Sequence, residues 1–213
     1  MLTVKKFIFN PFSENTYIIS ADSKDSIIID PGCFDDHEKD EIDKYVRNNN
    51  LKLKCILHTH SHLDHMFGTS YLSNKYNINI WIHREDQITY DSFERVCDLY
   101  GIPTSNSSNP TPKHFKLNDT FQCGEIMFKI LFVPGHSPGH VAFYNKENDF
   151  VINGDCLFEN SIGRTDLPGG DHELLIKSIK EKLFQLPDNT LVYCGHGNET
   201  SIEIEKDRNP FVR

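Results

Sequence analysis

The sequence predicts an α+β fold in which two β-rich halves pair as sheets, with helices on their outer faces. Three observations predict it. Short runs rich in Ile, Val and Phe recur along the chain, separated by Asn, Asp, Pro and Gly turn chemistry. Polar stretches with apolar residues at helical spacing lie between those runs. The second half repeats the style of the first, without a tandem repeat or a low-complexity tract. At 213 residues the chain is about 1.4 times a usual 150-residue domain, so one domain over 1–213 is expected.

The elements follow in order. Residues 4–9, 16–20 and 26–30 read as strands, broken by Asn10-Pro11, by the polar stretch 22–25 and by Asp30-Pro31-Gly32. Residues 35–49 are polar with Ile42, Tyr45 and Val46 on one stripe, which predicts a surface helix. A strand at 53–57 leads into a His-rich turn, then a helix to about Tyr76 and a strand at 78–82. A helix is expected over 84–100. The Pro-, Ser-, Asn- and Thr-rich stretch 101–112 is expected to connect the halves, about 1–100 and 113–213. The second half should hold strands near 119–133, 140–145 and 149–153, a helix at 171–185, a strand at 190–194 and a last helix near 199–207.

Composition narrows the function. Lys and Arg total 22 against 31 Asp and Glu, a net charge of −9, which argues against nucleic-acid or anionic-membrane binding through a basic face. No stretch approaches the roughly 18 unbroken apolar residues of a membrane span. The apolar part of the N-terminus is too short for a signal peptide. Six scattered cysteines without a C-x-x-C pair are expected to be reduced, in a cytoplasmic protein. The unusual number is 11 His.

The densest signal is His60-x-His62-x-Asp64-His65. In an extended chain, residues two apart share a face, so His60 and His62 can converge on one ion. Asp64 and His65 follow where the chain turns, and can serve a second. Imidazole and carboxylate suit Zn²⁺, and also Fe and Mn. His58 lies on the same alternation and is left structural or behind the ligands. Three further β-runs end in the same way, at Pro-Gly-His136, at Asn-Gly-Asp155 and at Cys-Gly-His196. In each, Gly clears room and a donor stands just past the strand end.

These positions, in order and at suitable intervals over nearly the whole chain, resemble the metallo-β-lactamase-fold hydrolases. The resemblance implies the αβ/βα four-layer sandwich with its site at one edge of the paired sheets. It implies a first ion on His60, His62 and His136, a second on Asp64, His65 and His196, and Asp155 bridging them. Residues 154–158 and 161–171 look like the short glyoxalase II-like (hydroxyacylglutathione hydrolase-like) proteins. The stretch Gly163-Arg164-Thr165-Asp166 also resembles the persulfide dioxygenases.

The reaction so implied is hydrolysis of a thioester such as S-lactoylglutathione, with hydroxide held between two ions and Asp64 orienting it while ligating. Two divalent ions less Asp64, Asp155 and a hydroxide leave about one positive charge, which suits a small anionic thioester. Arg164 is a candidate contact for a substrate carboxylate, although an internal pair with Asp166 is preferred. Full-length glyoxalase II enzymes carry a C-terminal helical domain that binds glutathione; here 17 residues follow His196. The alternatives are a mononuclear iron persulfide dioxygenase on His60, His136 and Asp155, and a non-catalytic metal-binding protein on the same fold.

Overall fold

The computed structural model describes residues 1–103, 109–116 and 120–212. The middle of the expected connector and the first residue of the strand expected at 119 lie outside them.

The first sheet is built from β1 (Thr3–Phe9), β2 (Glu14–Ser20), β3 (Asp25–Ile29), β4 (Lys52–Leu57), β5 (Asn79–Ile82) and β6 (Lys113–His114), in that spatial order. The first three are antiparallel, and β3 to β6 run parallel. The sheet thus continues across the connector by one short strand. The second sheet has the order β14-β13-β10-β9-β8-β7, from β7 (Thr120–Cys123), β8 (Ile126–Phe132), β9 (Val141–Asn145), β10 (Phe150–Gly154), β13 (Leu191–Cys194) and β14 (Thr200–Ser201). A small hairpin of β11 (Leu157–Phe158) and β12 (Ser161–Ile162) stands apart.

Three apolar layers hold this frame. Between the sheets lie Tyr17, Ile19, Ile27, Ile29 and Leu57 from one side and Phe128, Ile130, Phe143 and Ile152 from the other. On the outer face of the first sheet, Ile18, Ile28 and Ile56 pack under α1 (Asp36–Asn48) and α2 (Thr69–Tyr76). On the outer face of the second, Ala142, Val151 and Val192 pack under α5 (His172–Glu181) and α6 (Ile202–Arg208), met by Leu175, Ile179 and Ile202. This is why Ile27-Ile28-Ile29 carries no polar residue: a strand covered on both faces needs side chains of one kind in succession. The result is the four-layer α+β sandwich that the sequence predicts.

Local chemistry sets the element ends. Asp35 caps α1 by accepting from the Glu38 N–H at 2.9 Å. Asp43 ties that helix to α2, accepting from Tyr71 Oη at 2.5 Å, from Tyr76 Oη at 2.7 Å and from Lys75. Two expected elements are subdivided. The helix expected over 84–100 is a 3₁₀ turn, Arg84–Asp86, followed by α3 (Gln87–Asp91) and α4 (Phe93–Leu99). They part at Ser92, whose hydroxyl turns back to the Thr89 carbonyl at 2.8 Å. The long strand expected to 133 folds into the β7–β8 hairpin at Gly124-Glu125. No helix among the described residues is long and apolar enough to cross a membrane.

Candidate metal centre

The ends of β4, β8, β10 and β13 meet at one edge of the sandwich. Past β4 the chain bends at Thr59, passes His60, is extended at His62 and then enters a 3₁₀ turn, Leu63–His65. Beyond β8 comes the loop carrying His136, and beyond β10 and β13 stand Asp155 and His196. All seven donors singled out in the sequence are brought together there.

They form two groups. His60 Nε2 lies 3.2 Å from His136 Nε2, and His62 Nδ1 lies 2.8 Å from the same atom. On the other side, Asp64 Oδ2 is 3.1 Å from His196 Nε2 and 3.7 Å from His65 Nε2. Asp155 reaches both groups. Its Oδ2 is 3.6 Å from His136 Nε2 and 3.5 Å from His196 Nε2, while its Oδ1 is 3.4 Å from His65 Nε2. Gly195 packs against this carboxylate, so that a methyl group there would lie 2.0 Å from Asp155 Oδ1.

Partners behind the donors fix which ring atom faces inward. His136 Nδ1 donates to the Arg164 carbonyl at 2.7 Å, and His196 Nδ1 to the Phe12 carbonyl at 3.1 Å. His60 Nδ1 is 3.1 Å from Thr59 Oγ1, which donates to Asp30 Oδ2 at 2.6 Å. His65 Nδ1 faces Asp30 Oδ2 at 3.3 Å. His60, His65, His136 and His196 thus turn Nε2 towards the centre, whereas His62 turns Nδ1 towards it. His140 accepts from the Asp155 N–H at 3.1 Å and stacks on His60 at 4.8 Å between ring centroids.

Sequence reasoning missed Asp30, Thr59 and the fully buried Glu14, whose Oε1 lies 3.8 Å from His65 Nδ1. Asp30 is fully buried at the end of β3, with φ +49°, and its carboxylate also accepts from the Thr59 N–H at 2.7 Å. It stands just past a strand end near a glycine, the pattern by which His136 and Asp155 were found. His58, left aside in the sequence, stands behind the donors, with Nδ1 3.6 Å from Asp30 Oδ1. Arg164 holds Asp166 through two bonds of 2.7 Å, so its guanidinium is already paired.

The electrostatics suit cations. Burial and then mutual repulsion with its neighbours hold His60 far below the usual imidazole range, and burial followed by His136 pushes His62 down to about 3. This group is three neutral nitrogens. Burial opposes charge on Asp155, yet His65 and His196 keep it well below the usual carboxylate range. Burial likewise opposes charge on His196, but Asp155 and Asp64 push it up to about 10. The bonds at their Nδ1 atoms leave His60 Nε2 and His136 Nε2 as lone pairs facing at 3.2 Å, which repel unless something positive lies between them. Four ligands at 2.0–2.1 Å from a tetrahedral zinc stand about 3.3 Å apart, close to this separation. Buried and without a hydrogen-bond partner among the described residues are His65 Nε2 and Asp155 Oδ1, which an ion would satisfy. Two of the groups able to hold a metal are His60–His62–His136 and Asp64–His65–His196.

The comparisons with known proteins agree with this geometry. A family model described as the metallo-beta-lactamase superfamily matches residues 9–196. The hydroxyacylglutathione hydrolase GloC of Haemophilus influenzae is 36% identical over 202 residues, 94% of this chain and 93% of that protein. Of solved structures, BLEG-1 B3 metallo-beta-lactamase aligns at a TM-score of 0.88 and 32% identity, over 99% of both chains. TTHA1623 in a di-iron-bound form aligns at 0.86 and 33%, over 98% of this chain and all of that one. A sandwich of this topology, a His and Asp cluster at its edge and a match over most of its length mean that the chain belongs to the metallo-beta-lactamase superfamily.

Proposed function

We propose that this protein is a binuclear metallohydrolase that cleaves a small anionic thioester such as S-lactoylglutathione. One observation carries the reading: Asp155 Oδ2 stands 3.6 Å from a nitrogen of one donor group and 3.5 Å from a nitrogen of the other, where one carboxylate can serve two ions. The hydroxyacylglutathione hydrolase at 36% identity supports the substrate class. His60, His62 and His136 are assigned to the first ion, Asp64, His65 and His196 to the second, and Asp155 to both. Ions bound there would lower the pKa of water towards 7 and polarise the thioester carbonyl. The chain's own part is orientation. Asp30, through Thr59 and His65, and the carbonyls of Arg164 and Phe12 fix the rings. Asp64 and His196, at 13% and 27% side-chain exposure, are with His62 the partly open donors, and are assigned to the side that substrate approaches. Asp64 is assigned to orient the attacking water as well as to ligate. Arg164 is assigned to order the 161–171 loop through Asp166, and a substrate carboxylate would have to compete with that pair.

Zinc is the proposed metal, with iron the competitor because the similar TTHA1623 holds two irons. The six free cysteines fit a cytoplasmic setting. The test is elemental analysis of protein purified without added metal, followed by assays of S-lactoylglutathione, glutathione persulfide and a chromogenic β-lactam. Two ions per chain with thioester cleavage is the expected result. One iron with oxygen uptake on the persulfide replaces it by the dioxygenase reading, and metal without any turnover by a binding role.

A further inference from the structure

Asp86 ends the 3₁₀ turn after β5 and stands at the N-cap of α3, where an acidic side chain ordinarily accepts from the first free N–H groups of its own helix. Its carboxylate makes no such bond. It turns away, fully buried, and accepts at Oδ1 from Ser137 Oγ and from the Gly139 N–H, the latter at 3.1 Å. Its Oδ2 is buried without a partner among the described residues. Both features work against local stability: a helix goes uncapped and a carboxylate oxygen goes unsatisfied. What the arrangement achieves is a grip on the loop 134–140. Ser137 is adjacent to His136, and the loop backbone lies so close that a methyl group on Gly139 would fall 2.2 Å from Asp86 N. Three other fastenings of this loop come from its own half of the chain: Ser178 Oγ to the Pro134 carbonyl, Asp171 N to the Gly135 carbonyl, and the Arg164 carbonyl on His136 itself.

We infer that Asp86 is a positioning residue for His136, a strut from the first half of the chain that sets this imidazole against His60 and His62. The inference rests on the metal-centre reading above. Among the described residues the Asp86 carboxylate bonds to the His136 loop, so it bears directly on the first donor group and reaches the second only through the bond of His140 to the Asp155 N–H.

The experiment titrates Zn²⁺ and Co²⁺ into chelator-treated wild type, Asp86→Ala and Ser137→Ala. It counts the ions bound, resolves the two affinities, records the Co²⁺ visible spectrum and melts each ion-free protein. The expected result is a first-group affinity roughly 10–100-fold weaker in both variants, the usual cost of losing a group that orients a ligand, with second-group affinity clearly less affected. The Co²⁺ bands of the first site should alter while those of the second persist. If Asp86→Ala fails to fold, Ser137→Ala alone carries the test. Wild-type affinity at both sites in the variants overturns the inference, as does equal weakening at both in step with a lowered melting point. A wild-type chain that takes up no ion at all overturns the metal-centre reading itself.

Discussion

Gly195 and Asp155 are in contact so close that no side chain fits between them, since a Cβ at 195 would stand 2.0 Å from Asp155 Oδ1 and 2.9 Å from His65 Cε1. Gly195→Ala is therefore expected to push the carboxylate aside and lower bound metal. The strain should destabilise the fold by about 1–3 kcal/mol, the range for overpacked sites. Asp155→Ala removes the shared donor outright and should abolish turnover along with the metal. Elemental analysis and a melting curve on each variant check both, and retention of two ions at the wild-type rate by Asp155→Ala refutes the bridging assignment.

Metal uptake should release protons. In the ion-free chain His196, pushed up to about 10, is protonated at neutral pH, and His65 is raised in the same direction by Asp155 and Asp64 against the effect of burial. An ion needs the neutral ring. Affinity at that group should therefore fall as pH falls, while the first group, already neutral, is less sensitive. Calorimetric titration in buffers of different ionisation enthalpy measures the proton count, and a heat independent of buffer contradicts the prediction.

Arg164→Ala should leave KM and metal content unchanged. The guanidinium is 59% exposed and bonded to an Asp166 that is 68% exposed, and such pairs contribute about 0–1 kcal/mol. It is the Arg164 backbone carbonyl, untouched by the substitution, that holds His136. A tenfold rise in KM, about 1.4 kcal/mol, would instead make the side chain a substrate contact.

Asp43→Asn should loosen α1 from α2. Burial opposes the charge of this carboxylate, but Lys75, Tyr71 and Tyr76 outweigh it and hold it below its ordinary value. A depressed carboxylate stabilises the fold above its unfolded pKa near 3.9, and that contribution disappears as pH falls through the folded value. The variant should lose roughly 1–3 kcal/mol near neutrality. The gap from wild type should close below about pH 4, as denaturant melts across pH would show; a gap constant to pH 2 would contradict it.

Much of this was legible in the chain because its signals are local. Ile27-Ile28-Ile29 marks a strand covered on both faces, and four donor side chains within six residues mark a centre at 60–65 without knowledge of any partner. Asp30, Glu14 and Asp86 were not legible in the same way. Each is one acidic residue at a strand or turn end, and its role is set by groups far off in sequence: His65 for Asp30 and Glu14, and Ser137 for Asp86. The two-residue strands β6, β11, β12 and β14 are too short for periodicity to register. The break at Ser92 depends on one hydroxyl choosing a carbonyl three residues back, which composition does not announce.

The three apolar layers contain none of the seven donors. Hydrocarbon closes the sandwich, and the donors stand apart on its polar rim. Substitutions among the donors are thus expected to change what the rim holds more than whether the sandwich closes.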